Sequence, residues 1–353
     1  MKPFFSIIVP CCDVAPYVRE CLDSVKRQAF ADWECLAVVE ESRDDTERIV
    51  RELAAGDARF RVFAEPRSGS PATPRNTGLD HACGEYVIFL DGDDMLAEDA
   101  LARLAGKIRE RPGADLYPCA FRDWREGRGT VQTVDNWPAD APAEMSGQQS
   151  VVALYRHSHT PFSGAPFTIC RRTFLEERSL RFVPGLVYED MEFAPRAFCR
   201  AHRVVPLHEP FYMYRTRDDS IMGVSRAAGP KLEHYARVLK SLFAFHAALA
   251  KERGFDPEVS RVLGRSWLAL LRNEWFGTDS LASIPRQRRL ETLRTVFSDG
   301  FGDFRALLAP APLFRRAAGW CVVLFVRVPV LRRAIETFLP HIYERLARRA
   351  RGR

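Results

Sequence analysis

Over roughly its first third this sequence alternates short apolar runs with amphipathic segments, a pattern that restricts the chain to strand–helix–strand units feeding a parallel sheet. Phe4–Val9 reads as a strand, with Ile7, Ile8 and Val9 too uniformly apolar for a solvent-facing edge. Pro16 suits the first turn of a helix running to about Phe30, on which Val18, Cys21, Leu22 and Val25 share one face. Trp33–Val39, Phe60–Phe63, Tyr86–Leu90 and Asp115–Ala120 continue the strands. Thr46–Ala55, a short helix ending near Ala82, and Ala97–Arg111 lie between them. Trp124–Ser150, rich in Gly, Pro, Asp and Thr, reads as a long loop or a hairpin. Beyond about Lys231 the spacing turns helical over Lys231–Arg253, Pro257–Trp275 and Pro285–Phe297. The expected fold class is α/β: a Rossmann-like, mostly parallel sheet flanked by helices, with a C-terminal helical region.

Composition fits that class. A chain of 353 residues exceeds the usual single domain, and 46% apolar with 28% charged residues is ordinary for a soluble protein with a sizeable core. Nine cysteines form no C-x-x-C pair and no regular framework, so reduced thiols in a cytoplasmic protein are expected. The apolar run after Met1 is too short for a secretory leader. The longest apolar stretch, Gly319 to Leu331, carries Arg327 and Pro329 and is too short to span a bilayer. From Leu313 onward there are ten Arg and two Glu, a balance of +8 against +6 for the whole chain, so the basicity belongs to the tail.

In an open α/β sheet, ligands bind where strands end and helices begin. After the second expected strand stands Glu40-Glu41-Ser42-Arg43-Asp44-Asp45, and after the fourth Asp91-Gly92-Asp93-Asp94. On an extended chain Asp91 and Asp93 would point the same way, and Gly92 would let backbone approach a ligand. Two such carboxylates suit Mg²⁺ or Mn²⁺, which complete their shell with substrate phosphates and offset charge on a departing diphosphate. The same four residues equally suit the cap of a following helix.

The wider set of motifs resembles family 2 glycosyltransferases of the GT-A fold. Ser6-Ile7-Ile8-Val9-Pro10, Glu20-Cys21-Leu22-Asp23-Ser24-Val25 with Gln28, Arg75-Asn76-Thr77-Gly78-Leu79, Gly84-Glu85-Tyr86 and Phe89-Leu90-Asp91-Gly92-Asp93-Asp94 carry the likeness. Tyr188-Glu189-Asp190 and Tyr212-Met213-Tyr214-Arg215 extend it, in order, over about two-thirds of the chain. The resemblance implies a catalytic domain over 1–225; the helical spacing and the tail's charge divide the rest into an expected helical extension over 226–312 and a basic amphipathic tail over 313–353. It implies Asp190 as catalytic base, Asp91 and Asp93 as ligands of Mn²⁺ or Mg²⁺, and Pro10, Glu40, Asp44, Arg75, Asp91 and Glu189 as the nucleotide-sugar site. The expected reaction is inverting transfer from a nucleoside-diphosphate sugar, a UDP-sugar by default, to an acceptor hydroxyl of a cell-surface polysaccharide or glycolipid. One departure bears on the base: where the family carries two aspartates and a glycine, this chain has Glu40-Glu41-Ser42.

Other signals are weaker. His157-Ser158-His159 lacks a third ligand, Ser68-Gly69-Ser70 lacks the lysine of a P-loop, and no G-x-G-x-x-G follows the first strand. Tyr212 and Tyr214 read as strand packing. In the tail, Leu331, Ala334, Ile335, Phe338, Leu339, Ile342 and Leu346 trace one helical stripe with arginines off it. That suits an anionic membrane surface at the inner face of the plasma membrane, or packing on the protein's own helices. The expected partners are the donor and a glycan or lipid-linked acceptor, with no nucleic acid. A sugar nucleotidyltransferase and a non-catalytic membrane-associated binding protein are the competing classes.

Overall fold

The structure, a computed structural model, describes residues 2–125, 130–157, 164–217, 232–271 and 291–292. The chain divides into two compact units, Met1–Val224 and Ser225–Arg353. The tail over 313–353, the helix expected at Pro285–Phe297 and all but the first residue of His157-Ser158-His159 lie outside the described residues.

In the first unit, β1 (Phe5–Cys11), β2 (Trp33–Glu40), β3 (Phe60–Glu65) and β4 (Tyr86–Phe89) alternate with α1 (Val18–Lys26), α2 (Thr46–Ala54) and α3 (Ala72–His81). β5 (Met95–Leu96), α4 (Ala100–Glu110) and β6 (Leu116–Arg125) follow. β7 (Thr130–Val134) pairs antiparallel with β6, so the segment read as loop or hairpin opens with a hairpin. Then come α5 (Gly147–His157), a 3-10 turn (Ala165–Phe167), β8 (Thr168–Arg171), α6 (Arg172–Glu177), α7 (Glu189–Arg200) and β9 (Leu207–Thr216). In the second unit the described helices are α8 (Leu232–Leu249) and α9 (Pro257–Leu271).

The sheet runs β3-β2-β1-β4-β8-β6-β9-β5, with β7 beside β6. It is parallel from β3 to β4, turns antiparallel through β8, and returns to a parallel pairing between β6 and β9. β1 and β2 are central in this first half and need apolar side chains on both faces, which explains their uninterrupted apolar runs. Phe5, Ile7, Val9 and Cys11 join the core beneath α1, α2 and α4. Ile8 points the other way against α3: a Cβ on Gly78 would lie 2.3 Å from Ile8 Cγ2, so only glycine lets α3 seat on β1.

Two polar residues of α1 fasten the strand-end segment to the sheet. Ser24 Oγ accepts from Leu96 N at 3.0 Å, and Gln28, buried, donates to Ala97 O and accepts from Leu101 N, each at 3.0 Å. Gln28 thus supplies the first turn of α4 with the acceptor its Asp99 cap does not. Those bonds hold the segment from Leu96 to Leu101, just after the acidic run.

Candidate active site

The acidic run after β4 is a tight turn, not an extended segment: Asp94 N donates to Asp91 O at 2.9 Å. The side-by-side display expected of Asp91 and Asp93 therefore does not come from strand alternation. Nor does the run cap a helix, since α4 begins only at Ala100. Gly92 is needed for a different reason from the one its sequence context suggests. A Cβ there would meet Pro10 O at 2.9 Å and Val14 Cγ2 at 3.2 Å, so the turn closes against the end of β1, which is where Pro10 stands.

The three aspartates of the turn have separate tasks. Asp94 is buried and holds β9: its Oδ2 accepts from Tyr212 Oη at 2.7 Å and its Oδ1 from Arg215 N at 2.7 Å. The same Tyr212 hydroxyl accepts from Asp91 N at 3.1 Å. Burial pushes the Asp94 carboxyl well above the usual range, with Asp93 and Asp91 adding to it. Asp93 Oδ2 accepts from Arg217 Nη2 at 2.7 Å and Nε at 3.2 Å. Asp91 Oδ1 accepts from Arg75 Nη2 at 2.6 Å.

Arg75 joins this turn to the start of α7. Its Nη1 donates to Glu189 Oε1 at 2.5 Å and to Asp190 Oδ1 at 2.8 Å. The guanidinium is 1% exposed and faces Phe182, 5.3 Å from the ring centroid. Buried between the two acidic segments, it clamps them together. Its neighbours in sequence explain the rest of that motif. Asn76 exchanges two 2.9 Å bonds with the Phe182 backbone, and Thr77 Oγ1 donates to Glu65 Oε1 at 2.8 Å.

Glu189 and Asp190 open α7 just after Tyr188, a buried tyrosine at φ 68°. A non-glycine residue held in that left-handed region stores strain, and such strain gathers where a side chain must be aimed. Asp190 Oδ2 also accepts from Ala165 N at 3.3 Å, so both of its oxygens are oriented. Burial raises the Glu189 carboxyl well above the ordinary range, Asp190 adds to the effect, and Arg75 opposes it. Asp91 is raised as well, by burial first, against the pull of Arg75 and with help from Asp93 and Asp190. One guanidinium thus faces three carboxylates, an imbalance that favours a further cation.

Asp91 Oδ2 and Asp93 Oδ1 have no partner among the described residues, and the two side chains are 28% and 22% exposed. Hard oxygen donors, partly open and in negative surplus, fit Mg²⁺ or Mn²⁺. No cluster of three or more acidic, His or Cys side chains disposed to hold a metal occurs among the described residues. Such an ion would therefore draw its remaining ligands from phosphate and water.

The end of β2 and the loops beside it form a separate hydrogen-bonded cluster. Glu40 is buried and its Oε1 accepts from Ser68 N at 2.9 Å. Asp44 organises the loop beyond: its Oδ1 accepts from Thr46 N and Oγ1, and its Oδ2 from Ala15 N at 3.0 Å. Asp13, at φ 51°, binds Arg43 N and Arg67 Nη2.

Sequence reasoning missed Tyr212 as the brace of the acidic turn, and missed Arg215 and Arg217 beyond it. Arg215 Nε donates to Asp93 O at 2.9 Å and its Nη2 to Glu20 at 2.5 Å, with Trp124 4.3 Å away. The available signal was Arg215 and Arg217, two residues apart, directly following the Tyr212 and Tyr214 read as strand packing. All described cysteines are free, and among the described residues no helix is long and apolar enough to cross a membrane.

The sequence model described as glycosyl transferase family 2 matches residues 6–179. The chain is 32% identical over 252 residues to the uncharacterized glycosyltransferase EpsJ of Bacillus subtilis, covering 70% of each protein. Its fold is similar to that of Staphylococcus aureus TarS 1–349 in complex with UDP-GlcNAc, with a TM-score of 0.70 at 22% identity over 93% of this chain and 87% of that one. It is also similar to the mannosyltransferase PcManGT of Pyrobaculum calidifontis in complex with GDP-Man and Mn²⁺, with a TM-score of 0.53 at 20% identity over 90% and 87% of the two chains. A mixed sheet flanked by helices, ending in an acidic turn tied to a second carboxylate pair, belongs with these matches: the chain is a glycosyltransferase of family 2 with the GT-A fold.

Proposed function

We propose that this glycosyltransferase inverts configuration at the anomeric carbon, with Asp190 as the base and a divalent cation held by Asp91 and Asp93. The observation that carries the reading is the Arg75 guanidinium, which bonds Asp91 on one nitrogen and Glu189 and Asp190 on the other. The expected metal ligand and the expected base therefore flank one side chain, close enough to serve the two ends of a single scissile bond.

Asp190 takes the proton of the acceptor hydroxyl as its oxygen attacks the anomeric carbon, and the bond to the diphosphate breaks on the opposite side. One displacement inverts the centre. Arg75 and Ala165 N fix the direction from which Asp190 acts. A bound cation offsets charge on the departing diphosphate. Pro10, Glu40 and Asp44 wall the nucleotide, and Glu189 shapes the sugar end. The donor is a UDP-sugar on the analogy of TarS, although PcManGT shows that this fold also accepts a GDP-sugar. The acceptor is a hydroxyl of a cell-surface polysaccharide or a lipid-linked glycan, reached at the inner membrane face through the basic tail. A nucleotidyltransferase has no use for a second carboxylate pair joined through an arginine to its metal ligand.

Incubation with UDP-, GDP- and TDP-sugars and Mn²⁺ tests the assignment through slow donor hydrolysis. Chelator and Asp91→Asn should each suppress it. Asp190→Asn should abolish transfer while donor binding persists, and normal transfer by that variant would show the base misplaced.

A further inference from the structure

Two arginines leave β9 at strand period beside the acidic turn, and the structure treats them differently. Arg215 is part of the scaffold. Its backbone N–H binds Asp94, its Nε binds the Asp93 carbonyl, its Nη2 binds Glu20, and its plane lies between Trp124 and Tyr17 at 4.3 and 5.0 Å. Its side chain is 2% exposed. Arg217 stands one residue beyond Thr216, the last residue of β9. Its guanidinium lies 4.5 Å from the Tyr17 ring and directs both Nε and Nη2 onto one atom, Asp93 Oδ2.

That atom belongs to one of the two carboxylates assigned to the cation. A guanidinium forked onto it and a divalent ion bound to it each neutralise the same charge, and the two positive groups repel at such short range. We propose that Arg217 is a displaceable counter-ion of Asp93: it and the divalent cation compete for that carboxylate. When the cation binds, the guanidinium is freed within a side chain's length of the diphosphate, to which its fork is suited. The inference rests on the metal site proposed above. It adds a residue that sets how tightly the ion is held before the donor arrives, and that makes ion and nucleotide bind cooperatively.

Competition has a sign that a purely structural arginine would not produce. Arg217→Gln should bind Mn²⁺ more tightly than the wild type in the absence of nucleotide, by roughly tenfold if the charge-assisted pair has its usual strength. Arg217→Lys keeps the charge without the fork and should fall between the two. With UDP present the advantage of Arg217→Gln should shrink or reverse, because the wild type then regains a phosphate contact. Free Mn²⁺, counted by its electron paramagnetic resonance signal during titration of the full chain, reads all three without an activity assay. Asp93→Asn is the control. If it binds Mn²⁺ as the wild type does, the metal site itself is wrong and the inference falls with it. If Asp93→Asn loses the ion while Arg217→Gln matches the wild type or binds more weakly, the metal site stands and the competition is refuted.

Discussion

Replacing Arg75 with methionine probes the clamp that links the two halves of the site. Methionine restores much of the apolar stem, so the change removes charge and hydrogen bonds more than packing. The guanidinium, 1% exposed, offsets Asp91, Glu189 and Asp190, whose side chains are 28%, 7% and 19% exposed. Stranding buried carboxylates in this way costs about 3–5 kcal/mol. In a folded unit of this size that corresponds to a fall of roughly 6–20 °C in melting temperature near neutral pH. The loss must also depend on pH. Burial already raises Glu189 and Asp91, and Arg75 opposes the rise in both, so removing it raises them further. An acid with a raised folded-state pKa stabilises the fold below its unfolded value, and that contribution disappears as pH climbs through the folded value. The gap between wild type and Arg75→Met should therefore be small near about pH 5 and widen toward about pH 8, as followed by circular dichroism during thermal unfolding. A loss below about 1 kcal/mol, or one of equal size at every pH, would refute the clamp.

Two further substitutions test how the acidic turn is held. Gly92→Ala puts a Cβ 2.9 Å from Pro10 O, so it should cost about 1–3 kcal/mol and weaken Mn²⁺ binding in a calorimetric titration, whereas unchanged affinity would mean the turn has room to spare. Tyr212→Phe removes the hydroxyl that serves both Asp94 and the Asp91 N–H, and leaving those groups unpaired should cost about 1–3 kcal/mol in urea unfolding; a neutral outcome would return Tyr212 to ordinary packing.

What could be read from the sequence was local. β1 to β4 and their helices follow from periodicity, because each unit buries its own apolar face within about 30 residues. The acidic turn stood out by composition, yet its conformation did not: strand alternation suggested an extended display, whereas the turn closes on Pro10. The long-range pairings were out of reach. β9 lies beside β6 across some 90 residues of chain, and only that pairing brings Tyr212 and Arg215 onto Asp94. Arg75 illustrates the limit most clearly. Its motif marked it as part of the site, but nothing local could show that three carboxylates from two distant segments converge on it. Asp44 has one oxygen bonded to Thr46, a local pattern that Asp-Asp-Thr spacing could have suggested, and the other to Ala15 N in the loop after β1, which local spacing could not show.

The most direct test of the whole account is anomalous diffraction from crystals grown with MnCl₂ and a nucleoside diphosphate. The account requires a manganese peak bonded to the carboxylates of Asp91 and Asp93 and to the diphosphate, with Asp190 on the opposite side of the sugar position. Bound nucleotide with no peak there, or a peak held by other residues, would contradict it.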